Sequence, residues 1–236
     1  MTENEFKIFR DLIQEECGIF LGDQRRDFLA SKVQKRLDSL QMKGFFSYYR
    51  HVTTGENKEE LYSLIDSITI NETFFFRNLP QFKLFTDKVL PDVISKKRRA
   101  GDLSLNIWSA GCATGEEPYS ISVALYERIP DINNWKIKIT ASDISLRCLQ
   151  SAQTGIYHEY KLRDVPIEYL PRYFKKDADR YEVRDFVKKY VVFDYHNLKH
   201  ENGMNNTDII FCRNVMIYYD MLEQKNLIAR FRKALN

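Results

Sequence analysis

The chain has 236 residues, 44% hydrophobic and 29% charged, which suits one large or two modest globular domains. Its 36 Lys and Arg against 33 Asp and Glu leave a net charge of +3, too near balance to argue for nucleic acid. No apolar run reaches the length of a membrane span. The charged start MTENEFKIFRDLIQEE lacks the apolar stretch of a signal peptide. Cys17, Cys112, Cys148 and Cys212 form no CxxC pair, which argues against a zinc site or disulfide framework and for reduced thiols in a cytoplasmic protein.

Residues up to about 70 predict helices. Phe6, Phe9, Leu12 and Ile13 recur at helical spacing. The segment DQRRDFLASKVQKRLDSLQM follows with Asp23 as its expected N-cap and Gly44 as its expected stop. Its apolar stripe is Phe28, Leu29, Val33, Leu37 and Leu40, and its other faces carry Arg25, Arg26, Lys32, Lys35, Arg36 and Lys43. FSYYRHV and KEELYSLIDSITI predict two more helices; Gly18, Gly22, Gly44 and Gly55 alone interrupt this region. The stretch TINETFFFRNLPQFKLF, with Pro80 and then Pro91, marks a change of character. The expected division is a helical domain over 1–72 and a second domain over 73–236.

From Leu103 the pattern alternates. LSLNIWSA reads as a strand, EEPYSISVALYERI as a helix, KIKITASD as a strand and SLRCLQSAQTG as a helix. Later strands are KKYVVFDYHN and TDIIFCRN, closed by the helix MLEQKNLIARFRKALN, and YEVRDFV starts a small antiparallel excursion. Strand, helix and strand in that order predict an α/β fold with a doubly wound, mostly parallel sheet. Ligands of such folds sit at the carboxyl ends of the strands, at the switch point.

The turn SAGCATGEEPYS occupies that place. A P-loop needs Lys and Ser or Thr after its last glycine, where this sequence has Glu116 and Glu117. A dinucleotide turn needs G-x-G-x-x-G, and only Gly111 and Gly115 are present. The plain alternative is a tight strand-to-helix turn with its acids placed favourably on the helix dipole. The other reading is a nucleoside ligand that carries positive charge instead of phosphate, for which S-adenosylmethionine fits. Gly111 would let the backbone approach the ligand, and a glutamate would do electrostatic or hydroxyl-binding work. Asp143, ending the next strand, stands where doubly wound folds hold ribose; its plain alternative is an N-cap.

These residues resemble a known family. INETFFFRN, WSAGCATGEEPYSIS, ITASDIS, TGIYHEY and IIFCRNVMIYYD look like the chemotaxis-receptor glutamate O-methyltransferases of the CheR type, and the similarity covers nearly the whole chain. The resemblance implies a class I methyltransferase-like domain after a small all-helical one. It implies transfer of a methyl group from S-adenosylmethionine to receptor glutamates, giving S-adenosylhomocysteine without a metal. Its cofactor contacts would be Asn71, Thr73, Arg77, Gly111, Glu117, Asp143, Asn197, Leu198, Cys212, Arg213 and Asn214, with Tyr218 near the transferable methyl. Sheets of this type continue into a Pro-Gly turn and a final strand pair; the sequence ends at Asn236, so the expectation is a sheet without them. YFKKDADRYEVRDFVKKYVVF is shorter than in relatives that grip a tethering peptide, so no strong site for one is expected.

A glutamate nucleophile, with a pKa of about 4.3, is already ionised and needs no general base. Arg77 is the expected orienting group, able to fork a carboxylate, and Tyr218 the expected neighbour of the methyl or substrate. The three phenylalanines of ETFFFR cannot all face one core, so some are expected to wall the site. Cys212 lacks an evident His partner and is expected to be a buried small residue. The basic face of Arg25, Arg26, Lys32, Lys35 and Arg36 is the expected dock for acidic cytoplasmic domains of chemoreceptors. Nucleic acid and membrane insertion are not expected, and a monomer is. Two alternatives stay open: a catalytically impaired regulatory module that binds S-adenosylmethionine or S-adenosylhomocysteine, and a methyltransferase for another acceptor.

Overall fold

The computed structural model describes residues 1–54, 58–201 and 203–236; Gly55 lies outside them. In chain order come α1 (Glu3–Cys17), a 3-10 turn (Asp23–Arg25), α2 (Arg26–Ser39), α3 (Phe45–Thr53) and α4 (Lys58–Ile68). Next, α5 (Leu79–Leu84) runs through a π-helical segment (Phe85–Val89) into α6 (Leu90–Arg99). The alternating region is β1 (Ser104–Ala110), α7 (Glu116–Arg128), β2 (Lys136–Asp143), α8 (Leu146–Thr154) and β3 (Ile156–His158). It continues with α9 (Leu170–Tyr173), β4 (Phe174–Asp177), β5 (Arg180–Val183), α10 (Asp185–Lys188), β6 (Val191–Tyr195), β7 (Ile209–Phe211) and α11 (Met221–Ala234). Among the described residues, no helix is long and apolar enough to cross a membrane.

The chain divides into two compact units. The first combines Met1–Ile70, Asn197–Glu201 and Asn214–Arg230; the second combines Asn71–His196, Asn202–Arg213 and Phe231–Asn236. The helical unit is thus assembled from three separate stretches of chain.

In the first unit, α1 begins with a reciprocal cap. Glu5 N donates to Thr2 Oγ1 at 3.2 Å and Thr2 N to the Glu5 carboxylate at 2.7 Å. Phe6, Phe9, Leu12 and Ile13 are buried, as their spacing predicts, and Gly18 ends the helix at φ 76°. Two expected boundaries are corrected. Asp23 is not the N-cap of α2 but the first residue of the 3-10 turn ahead of it, with Gly22 as that turn's cap. Gly44 does not stop α2, which ends at Ser39; it precedes α3 as its N-cap, at φ 88°. Of the apolar stripe, Leu29, Val33 and Leu37 are buried, while Leu40 is exposed.

In the second unit, the main sheet runs β6-β2-β1-β7, with every recorded pairing parallel. Leu105, Ile107 and Ile139 of its strands join Tyr119, Ile121 and Leu125 of α7 in one buried cluster. This is the α/β architecture expected from the strand–helix alternation. The antiparallel excursion is a three-stranded sheet ordered β3-β5-β4, of which the sequence indicated only β5. Pro80 lies in the first turn of α5, where a missing N–H is harmless; Pro91 follows the π-helical segment inside the continuous helical run, where such a local change of helix type accompanies it.

Candidate cofactor site

The site begins at the carboxyl end of β1, which has β2 on one side and β7 on the other. Ala110 pairs with Ser142, and the chain then turns while holding on to β2. Gly111 N and Cys112 N both donate to Ser142 O, at 2.8 and 2.9 Å. Gly111, Ala113 and Gly115 have φ of 80°, 46° and 93°, a left-handed path that glycine takes without steric cost. At Gly115 a side chain is also excluded by contact, since a Cβ would lie 2.8 Å from that of Ala152 and 2.9 Å from the Tyr157 hydroxyl.

Asp143 ends β2 and is 7% exposed. One carboxylate oxygen accepts from Ala113 N at 2.7 Å and the other from Ser145 N at 2.9 Å. The N-cap of α8 is Ser145, whose hydroxyl accepts from Cys148 N at 3.0 Å. Asp143 therefore joins the glycine turn to the next loop and leaves the capping role to its neighbour.

The two glutamates of the turn have different environments. Glu116 is fully buried; it pairs with Lys161 Nζ at 3.0 Å and accepts from Thr114 Oγ1 at 2.7 Å. Glu117 accepts from Ser109 Oγ at 2.8 Å and lies 3.5 Å from the Arg213 guanidinium. Burial pushes the Glu117 carboxyl above its ordinary range, against the opposing pull of Arg213, Ser109 and Arg77. Burial likewise lowers Arg213, with Glu117 pulling the other way.

The NETFFFR segment follows the first unit without helix or strand. Its phenylalanines divide as their number requires. Phe75 and Phe76 are buried in the core, while Phe74 is partly buried, with the Arg163 guanidinium 3.8 Å and that of Arg77 5.7 Å from its ring centre. Arg77 donates to Glu72 O at 2.7 Å, a main-chain carbonyl and not a carboxylate. Arg213 donates to Gln81 Oε1 at 2.8 Å and to Arg77 O. Thr73 O accepts from Lys161 Nζ at 2.7 Å, and Asn71 is partly buried. Cys212 is partly buried and not fully so as expected; desolvation pushes its thiol up to about 12, with Glu117 adding to the shift, so it is not a thiolate near neutral pH.

The second unit thus brings Arg77, Glu117 and Arg213 together and ties Gly111 to Asp143 through the turn. Asn197, Leu198, Asn214 and Tyr218 belong to the first unit. There Asn197 Nδ2 donates to Glu16 O at 2.7 Å, Leu198 is buried, and Tyr218 O accepts from Phe20 N at 2.8 Å. Asn214 is exposed, at φ 57°. Ser109, Gln81, Tyr157 and Lys161 were missed by sequence reasoning. Lys161 meets Thr73 across 88 positions, and no local pattern announces such a contact.

On the basic face, Arg25, Arg26 and Lys35 are exposed. Arg25 and Lys32 lie over the Phe28 ring at 5.6 and 5.3 Å. Arg36 is otherwise engaged: it forks the Glu60 carboxylate at 2.8 and 2.6 Å, and the Tyr48 hydroxyl donates to the same group at 2.5 Å.

A parallel sheet whose central strand ends in a glycine turn, with Glu116 and Glu117 where a P-loop has its lysine, defines a doubly wound α/β domain with a ligand crevice at the carboxyl ends of its strands. The chain matches the CheR methyltransferase SAM-binding domain over residues 71–236 and the CheR methyltransferase all-alpha domain over residues 4–69. It belongs to the CheR methyltransferase family. It is 34% identical to chemotaxis protein methyltransferase 2 of Vibrio cholerae, with 100% of this chain and 82% of that protein covered. The chemotaxis protein methyltransferase of Borreliella burgdorferi is 33% identical, covering 100% of this chain and 84% of the relative. That of Escherichia coli is 34% identical, covering 98% and 79%.

Proposed function

We propose that the chain transfers the methyl group of S-adenosylmethionine to glutamate side chains of chemoreceptors, forming methyl esters. The observation that carries the reading is the acidic glycine turn, with Glu117 beside it and Asp143 fastened to its backbone. Those carboxylates suit a cationic, hydroxyl-bearing nucleoside, and the turn lacks the lysine with which a P-loop holds phosphate. The family match and the relatives named for chemotaxis methylation support the same reading.

The residues present fit the cofactor. Gly111 and Glu117 would border it and Asp143 would take its ribose hydroxyls. Asn71, Thr73, Asn197, Leu198, Cys212, Arg213 and Asn214 are its further proposed contacts, on the strength of the motif resemblance. When bound, it would supply a methyl group activated by a positively charged sulfur. The protein's own part is alignment and exclusion of water. Arg77 would fork the incoming carboxylate, its hydrogen bond to Glu72 O being exchangeable for a stronger charged one. Tyr218 would stand beside the reacting methyl. No side chain need remove a proton, because the nucleophile is ionised near neutral pH.

Arg25, Arg26, Lys32 and Lys35 are the proposed dock for an acidic receptor surface, in a protein acting as a monomer in the cytoplasm. Labelled methyl transfer to receptor fragments tests the reaction. The expected product releases its label as methanol in base, as a carboxyl ester does. Label that survives base would assign the methyl to another acceptor, and no transfer at all would leave a ligand-binding module.

A further inference from the structure

The geometry points to Lys161 as a positioning residue that sets the Thr73–Arg77 segment against the glycine turn. This inference deepens the proposed function and rests on it. Residues 71–77 lie outside any helix or strand, so side chains and isolated backbone bonds must hold the segment in place. Lys161 makes two of these links. Its carbonyl accepts from Phe75 N at 2.9 Å, and its ammonium donates to Thr73 O at 2.7 Å.

The same ammonium reaches Glu116 at 3.0 Å. Glu116 opens α7 and is fully buried, and the Lys161 side chain is only 18% exposed. An ion pair so withdrawn from water is far from the solvated surface kind. The carboxylate also accepts from Thr114 Oγ1 at 2.7 Å, inside the glycine turn. Tyr157, a few residues ahead of Lys161, donates to Thr114 O at 2.7 Å. One ammonium therefore joins three places: the segment carrying Arg77, the start of α7, and the chain leaving β3. Neither Glu116 nor Lys161 need touch the cofactor for this to matter. Their pairing fixes how far Thr73 and Arg77 stand from Gly111 and Glu117.

The test separates positioning from folding by removing both charges together. Replacing lysine alone would strand a buried carboxylate and lower Tm by on the order of 10 °C. Lys161→Met combined with Glu116→Gln leaves no unpaired charge and is expected to melt within a few degrees of the wild type. The bridge to Thr73 is still gone, so the S-adenosylhomocysteine dissociation constant by calorimetry should rise about tenfold. KM for S-adenosylmethionine should rise with it. Native affinity at a recovered Tm would overturn the positioning role. So would a Tm that stays low, because the pair would then serve the fold and not the segment. Failure of the wild type itself to bind S-adenosylhomocysteine would instead overturn the cofactor reading, and this inference with it.

Discussion

Burial works against the charge of Glu117. Burial raises its carboxyl pKa, with Arg213, Ser109 and Arg77 opposing. A folded-state pKa above the unfolded one means that the group favours the fold most at acid pH. That contribution fades as pH rises from about 4.3 through the folded value. Glu117→Gln should therefore keep or raise Tm at pH 7 by calorimetry. The same change should weaken S-adenosylmethionine binding about tenfold, and S-adenosylhomocysteine binding less, because its sulfur is uncharged. Equal losses for both ligands, with a lower Tm, would make Glu117 a brace for Arg213. At this scale the sequence showed which residues were unusual but not their partners. Two adjacent acids after a glycine turn stand out in any reading. That Glu116 turns inward to Lys161 while Glu117 meets Ser109 and Arg213 depends on chain brought in from afar.

The helices of the first unit carry a similar lesson in α2. Its charged face was expected to present five cations, yet Arg36 forks Glu60 of α4, and Tyr48 of α3 closes the group. Burial pushes the Glu60 carboxyl up, but the hydrogen bonds from Arg36 and Tyr48 and the charges of Arg36 and His51 outweigh it, and the net shift is downward. The group therefore stabilises the fold above the unfolded pKa of about 4.3 and loses that effect as pH falls through the folded value. Glu60→Ala should cost about 3 kcal/mol in urea denaturation at pH 7, with the difference from wild type shrinking in acid. A loss under about 0.5 kcal/mol would make the triad a solvated contact. Helix existence was legible from the spacing of Phe6, Phe9, Leu12 and Ile13. Boundaries at Asp23 and Gly44 were not, because an acid and a glycine serve several kinds of turn equally well. The excursion was half legible, since the strands flanking β5 have only three and four residues, too short for alternation to register.

At the scale of the molecule, the sequence conveyed the α/β class because strand–helix alternation constrains topology strongly. The engagement of Arg36 changes which variants test docking. Reversing Arg25, Arg26 and Lys35 to Glu should lower receptor methylation about tenfold, steeply dependent on salt, while S-adenosylhomocysteine binding by calorimetry stays within twofold. Unchanged methylation at low salt would make the face ordinary solvated surface. Arg36 is left out because its reversal would set two carboxylates against each other in a largely buried position.

The first unit is sewn from three stretches, and the stitches differ in kind. Asn197 and Lys199 hold main-chain carbonyls of α1, at Glu16 and Gln14. Backbone oxygen is the same in every sequence, so these two fastenings would accept a foreign α1. Gln14 Nε2 also bonds the Asp220 carboxylate at 2.8 Å, and that fastening reads identity. A hybrid gene that exchanged residues 1–70 for a homologue's would thus inherit those two seams for free, and would have to keep an amide at position 14.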